Sequence, residues 1–237
     1  MKRPFRALFR PDWRCLACGD EVFAEERYFC PRCDKTLPKN DGAICDHCGR
    51  AVVVAQNYCY DCKNQMTEVD RARSCYSYRP PVSGLIQAFK YNGKKYLAEA
   101  FVGDMARLYF SHYLAADYIV FVPMTEARQK ERGFNQTELL AQLLSERIGV
   151  PVLSDALVKI RETPRQANLS GKERWQNPEG SFRVHRRTEV KEKTILLVDD
   201  VLTTGATAEA IARALKGAEA KKVYLLTVAS VSSRREE

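Results

Sequence analysis

The residues best equipped for chemistry lie between Thr194 and Thr207, in the run TILLVDDVLTTGAT. An apolar strand-like stretch leads into two adjacent acids, Asp199 and Asp200. Val201 and Leu202 follow, then Thr203, Thr204, Gly205, Ala206 and Thr207 at the opening of a helix. Small residues let backbone N–H groups approach an anion, hydroxyls add donors, and a helix N-terminus adds positive potential. Two carboxylates beside such a cradle would repel the anion unless they bind sugar hydroxyls or a cation a few ångströms away. A ligand with phosphate at one end and a vicinal diol at the other satisfies both halves. That ligand is a ribose 5-phosphate.

A second basic stretch, VPMTEARQKERGFNQ (Val122 to Gln136), reads as a loop between a strand and a helix. Arg128, Lys130 and Arg132 offer charge for a pyrophosphate, and Gly133 permits a turn. Glu126 is expected to point away from any polyanion. Both stretches resemble type I phosphoribosyltransferases. The first looks like their phosphoribosyl pyrophosphate (PRPP) motif, with Val201 and Thr203 to Thr207 on the 5′-phosphate. The second resembles their pyrophosphate loop. Lys159 to Phe182 is similar to the hood that covers substrate in that class. No G-x-x-x-x-G-K-S/T occurs, so a P-loop hydrolase has no support.

The N-terminal third carries different chemistry. Eight of the nine cysteines form four C-x-x-C pairs: Cys15/Cys18, Cys30/Cys33, Cys45/Cys48 and Cys59/Cys62. Gly19 and Gly49 follow the first and third pairs, so the unit occurs twice. Zinc takes four soft ligands in a tetrahedron, and C-x-x-C supplies two from one turn. The repeat argues for sequential sites, Cys15/Cys18/Cys30/Cys33 and Cys45/Cys48/Cys59/Cys62, with a crossed pairing as the alternative. Closed all-cysteine sites leave no coordination position open, which points to two structural zinc ions. Fewer than about 70 residues with few large aliphatics bury too little core alone, and metal would supply the missing stability. Phe23, Arg27, Tyr28, Phe29, Arg32, Lys35 and Arg50 suit stacking and phosphate contact, and equally packing and solvation. His47 is expected to face solvent, and Cys75 to be a small half-buried residue.

The elements that position these groups follow from periodicity. Arg73–Tyr78, Tyr118–Val122, Lys193–Val198 and Val223–Ala229 read as strands. Pro81–Tyr91, Tyr96–Tyr113 and Ala206–Lys216 read as helices. Asn135-x-x-Glu138 is a capping-box pattern opening another helix that runs to Ile148. Strands alternating with helices predict an α/β domain with a parallel, twisted sheet, ligands binding at its carboxyl edge. The expected division is a double zinc ribbon over residues 1–66 and this domain over 67–237.

Composition excludes other classes. With 45% hydrophobic and 29% charged residues, the 237-residue chain is neither fibrous nor wholly disordered. Its apolar runs are far below the roughly 20 residues needed to span a bilayer. The segment MKRPFRALFRPDW lacks the continuous apolar core of a secretory signal. A cytoplasmic protein with no membrane insertion is expected. Zinc loading of eight thiolates moves the formal +8 to about +4, which permits an anionic partner.

The combination resembles the ComF family, in particular its ComFC-type competence proteins. The resemblance rests on the paired C-x-x-C motifs, FKYNG (Phe89 to Gly93), RGFNQ (Arg132 to Gln136) and VDDVLTTGAT. It also takes in Arg161, Thr163, Gln166, Leu169, Arg174 and Asn177. Lys159 and Pro178 stand where such proteins usually carry Arg and often Val. The resemblance implies a double zinc ribbon joined to a phosphoribosyltransferase-type domain. It implies handling of single-stranded DNA in natural transformation beside a ComFA-type helicase. Two readings follow. An enzyme would transfer ribose 5-phosphate from PRPP to a nitrogen acceptor. Mg²⁺ would bridge pyrophosphate and ribose, and Asp199 and Asp200 would hold the diol. A binding module would keep PRPP as a signal and act as a DNA adaptor. The residues leave the acceptor and the oligomeric state open.

Overall fold

The computed structural model describes residues 13–22, 28–64, 66–161, 178 and 180–232. Phe23, Arg27 and the hood residues Thr163, Gln166, Leu169, Arg174 and Asn177 lie outside them.

The domain is built on a four-stranded parallel sheet, β1 (Arg71–Ser77), β2 (Tyr118–Phe121), β5 (Thr194–Leu202) and β6 (Lys222–Ser230), ordered β1-β6-β5-β2. Alternation along the two central strands divides the core in two. Leu196, Val198, Leu226 and Val228 face α3 (Val82–Tyr91), α4 (Leu97–Ser111) and α6 (Gln136–Ile148). Ile195, Leu197, Val223 and Leu225 face α8 (Ala206–Gly217). Both faces are therefore apolar, as a covered parallel sheet requires. An antiparallel pair, β3 (Leu157–Lys159) with β4 (Phe182–Val184), flanks α8, and α7 (Arg187–Val190) precedes β5.

Both sheet edges are covered. Beside β2, Ile119 bridges Val152. Beside β1, the segment around Lys39 bridges Tyr76. The buried Asn40 side chain donates to Ser74 O (3.1 Å) and accepts from Ser77 Oγ (2.8 Å).

The cysteines gather sequentially and not crosswise. In each of the two groups all four Sγ atoms lie within 4.8 Å of one another. Short helices contribute ligands: Cys33 lies on α1 (Pro31–Thr36), which Cys30 caps, and Cys62 on α2 (Tyr60–Asn64). The two ribbons differ in their surroundings. The first keeps Cys18 exposed and Cys33 half-buried. The second is wholly buried and shares its core with Val69, Ala72 and Leu202. Gly49, at φ +69°, lies so close to β1 that a Cβ would sit 2.9 Å from Ala72 O.

Of the two uses open to Arg50, packing holds: it is completely buried and paired with Asp61 at 2.5 Å. Two expectations are corrected. His47 is only half-exposed: it packs on Tyr58 at 5.2 Å, and its Nε2 is buried. Cys75 is buried on the central-core side of β1. Among the described residues no helix is long and apolar enough to cross a membrane.

Candidate active site at the carboxyl edge of the sheet

β5 does not stop at Val198. Its ladder to β6 continues through Asp199↔Thr227, Val201↔Ala229 and Leu202↔Ser230, so both acids belong to the strand. Strand alternation sends them to different neighbours. Asp200 is buried beside the helix layer, where Lys90 Nζ of α3 lies 2.8 Å from one oxygen and Gln136 Nε2 of α6 donates to the other at 2.8 Å. Asp199 is half-buried, and its Oδ1 accepts from the Asp200 N–H at 2.8 Å.

The surroundings of Asp199 act on its ionisation. Burial pushes Asp199 up to about 7, and the Asp200 charge adds to this against the pull of Lys90. Burial works to lower Lys90, but the carboxylates of Asp200 and Asp199 outweigh it, and the net shift is upward. The site thus holds one locked ion pair and one acid poised near neutrality. A strongly shifted acid beside a buried ion pair in a cleft is a mark of a functional site.

After Leu202 the chain turns into α8 through Gly205, whose φ of +97° suits glycine. Thr204 Oγ1 accepts from the Ala206 N–H at 3.3 Å and tightens this turn. Thr203 is exposed, and Gly205 and Thr207 line a cavity of about 250 Å³ with Asp199, Asp200, Val201 and Leu202. Thr204 and Ala206 are buried behind it.

The opposite wall comes from the segment after β2. The stretch read as a loop contains a helix, α5 (Glu126–Arg132), capped by Gly133 at φ 81°. Arg128 and Arg132, four residues apart, share a face and line the cavity. Lys130 is exposed and is not part of the wall; Glu126 is exposed too. Arg132 Nη1 donates to Gln136 Oε1 at 2.6 Å, and its guanidinium lies 5.0 Å from the Tyr91 ring centroid. Asn135 caps α6: its Oδ1 accepts from the Thr137 N–H at 3.1 Å, and its Nδ2 donates to Val122 O at 3.2 Å. Glu138, the other half of the expected capping box, instead accepts from Gln142 Nε2 at 3.3 Å. Lys159 and Phe182 of the β3–β4 pair complete the rim.

Lys90, Gln136 and Tyr91 carry roles that sequence reasoning did not assign. Their motifs, FKYNG and RGFNQ, were visible, but only the fold shows that they converge on Asp200 and Arg132.

The cysteine groups pass a geometric test for zinc. A tetrahedron with Zn–S of about 2.3 Å has edges of about 3.8 Å. The structure gives 3.8 Å for Cys18–Cys30, 3.9 Å for Cys45–Cys62 and 3.7 Å for Cys48–Cys59. Backbone N–H groups of Cys30 and Cys59 donate to Cys15 Sγ (3.3 Å) and Cys45 Sγ (3.2 Å), as thiolate ligands require. Both sites are consistent with structural zinc.

Comparison with known proteins agrees with this architecture. The phosphoribosyl transferase domain model matches residues 133–237, and the double zinc ribbon model matches residues 5–63. The chain is 30% identical to Competence protein F of Haemophilus influenzae, over 86% of this chain and 91% of that one. It is 32% identical to DNA utilization protein YhgH of Escherichia coli, over 90% and 95%. It is 29% identical to Competence protein ComFC of Bacillus subtilis, over 86% and 82%. The chain belongs to the competence protein F (ComF) family, with a double zinc ribbon joined to a phosphoribosyltransferase-like domain.

Proposed function

We propose that the cavity at the carboxyl edge binds PRPP. Backbone N–H groups of the Thr203–Thr207 turn hold the 5′-phosphate. Asp199 accepts from the ribose diol, while Asp200 is fixed by Lys90 and Gln136 as the floor of the site. Arg128 and Arg132 face the pyrophosphate. Lys130 is left with at most a long-range contribution, because it is exposed and off the wall. Asp199 would help to hold Mg²⁺, which would neutralise substrate charge. The observation that carries this reading is the convergence of an acid pair, a glycine-opened helix and an arginine face on one cavity of about 250 Å³.

The relatives' names, competence and DNA utilization, support a role in the handling of incoming single-stranded DNA, with PRPP as an occupant that stabilises the working form. A ComFA-type helicase is the partner this reading implies. The net positive charge suits such a strand. Turnover is the second reading, favoured by an ionisable Asp199 placed to stabilise positive charge developing at C1. There the C1–oxygen bond to pyrophosphate breaks as a nitrogen acceptor bonds to C1; pyrophosphate leaves with the bonding pair, and the acceptor nitrogen gives up its proton to water.

One pair of measurements separates the readings. Pyrophosphate release with candidate amine acceptors supports turnover. Salt-sensitive single-strand binding that survives Asp199→Ala plus Asp200→Ala, without release, supports the adaptor. Absence of both defeats the functional assignment.

A further inference from the structure

We infer that the second cysteine ribbon is part of the phosphate site, with Arg50 as a positioning residue for the Thr203–Thr204 peptide. The inference rests on the PRPP reading and adds to it a dependence of ligand affinity on one ribbon and not the other.

Arg50 lies two residues after Cys48, and Asp61 immediately precedes Cys62. Their ion pair therefore ties together the two knuckles of one metal site (Nη1–Oδ2 2.5 Å). The other arm of the same guanidinium leaves the ribbon: Nη2 donates to Thr203 O at 2.5 Å. In a trans peptide the C=O and the following N–H point in opposite directions. Holding Thr203 O toward the ribbon therefore aims the Thr204 N–H away from it, the polarity an anion cradle needs. Arg50 is completely buried, and its Nε has no hydrogen-bond partner among the described residues. A buried cation with an unsatisfied donor is costly to keep for packing alone.

Two further contacts come from the chain just beyond Cys62. Met66 packs under the turn, its Sδ only 2.7 Å from where a Cβ on Gly205 would lie. Glu209, in the first turn of α8, accepts from the Thr67 N–H (3.0 Å), the Thr67 hydroxyl (3.0 Å) and the Glu68 N–H (2.9 Å). The turn is thus held at its start by the second ribbon, and at its middle and end by the chain that leaves it. The first ribbon rests elsewhere: Tyr28 donates to Glu99 of α4 at 2.8 Å, and Leu16 and Phe29 pack on the α3/α4/α6 core.

The test uses full-length, zinc-loaded protein and calorimetry with ribose 5-phosphate and with inorganic pyrophosphate. Arg50→Lys keeps the charge but cannot span Asp61 and Thr203 O together. It should bind ribose 5-phosphate at least about 10-fold more weakly, which is about 1.4 kcal/mol. Its zinc content and its pyrophosphate affinity, which depends on the α5 arginines, should stay at wild-type values. Tyr28→Phe, at the first ribbon, should leave both affinities unchanged. Equal weakening of both ligands by Arg50→Lys would reveal a general structural lesion and overturn the inference, as would no weakening at all. If Arg50→Lys does not fold, Asp61→Asn is measured instead. It frees the guanidinium from its anchor, and unchanged ribose 5-phosphate affinity there overturns the inference. Wild type that binds neither ligand rejects the PRPP reading itself.

Discussion

The Asp199 carboxyl gives the sharpest quantitative handle on the site. An aspartate in an unfolded chain titrates near 4, whereas burial and the adjacent Asp200 charge push folded Asp199 up to about 7. Between those values the folded protein keeps a proton that the unfolded chain has released. Stability must therefore fall as pH rises through this window, by at most about 1.4 kcal/mol per pH unit. From pH 5 to pH 7 the ceiling is about 3 kcal/mol. Asp199 is half-buried at an open cavity, so water screens part of the effect and about 1–2 kcal/mol is expected. Asp199→Asn keeps the oxygen that accepts from the Asp200 N–H and removes the ionisation. Thermal melts of zinc-loaded wild type and variant at pH 5 and pH 8, at matched ionic strength, isolate the term. The Tm difference should move in the variant's favour by about 3–6 °C between the two pH values. The same variant should lose affinity for ribose 5-phosphate at pH 8, since stability is gained at the expense of the binding group. A Tm difference identical at both pH values would show that Asp199 ionises as an ordinary surface acid and would refute the electrostatic picture.

Gly205→Ala forces a Cβ into a left-handed backbone and against Met66, so a destabilisation of about 1–3 kcal/mol from the backbone alone, with loss of phosphate binding, is expected in denaturant melts and calorimetry. Arg132→Ala should weaken pyrophosphate binding about 10-fold or more, whereas Lys130→Ala, off the wall, should change it less than 2-fold by the criterion of exposed charges. Chelation followed by a colorimetric zinc assay should be biphasic, because Cys18 is exposed and Cys33 half-buried in the first site while all four cysteines of the second are buried. Loss of the slow phase should coincide with loss of ribose 5-phosphate binding, and a single phase would contradict the burial difference.

What the sequence revealed follows from which forces act locally. The core of β5 was legible because covered parallel strands are continuous apolar runs, and Ile195 to Val198 is one. The cysteine spacing carried its own ligand geometry. The α5 helix escaped because EARQKER has no apolar stripe; its arginines face a cavity and not a core. β3 and β4 escaped because three residues on each side pair across a long intervening segment, which no local pattern encodes. The extension of β5 through Asp199 and Asp200 was hidden because acids disfavour strands in isolation, and here the β6 ladder and the Lys90 and Gln136 contacts override that preference. Arg50 stayed open between phosphate contact and packing in the sequence because its partners, Asp61 and Thr203 O, meet it only in the fold.

Calorimetric titration of the zinc-loaded chain with PRPP in Mg²⁺ buffer tests the account most directly. One saturable site per chain is expected, lost in Asp199→Ala plus Asp200→Ala. An intact, zinc-replete wild type that gives no saturable heat would contradict the assignment of the cavity.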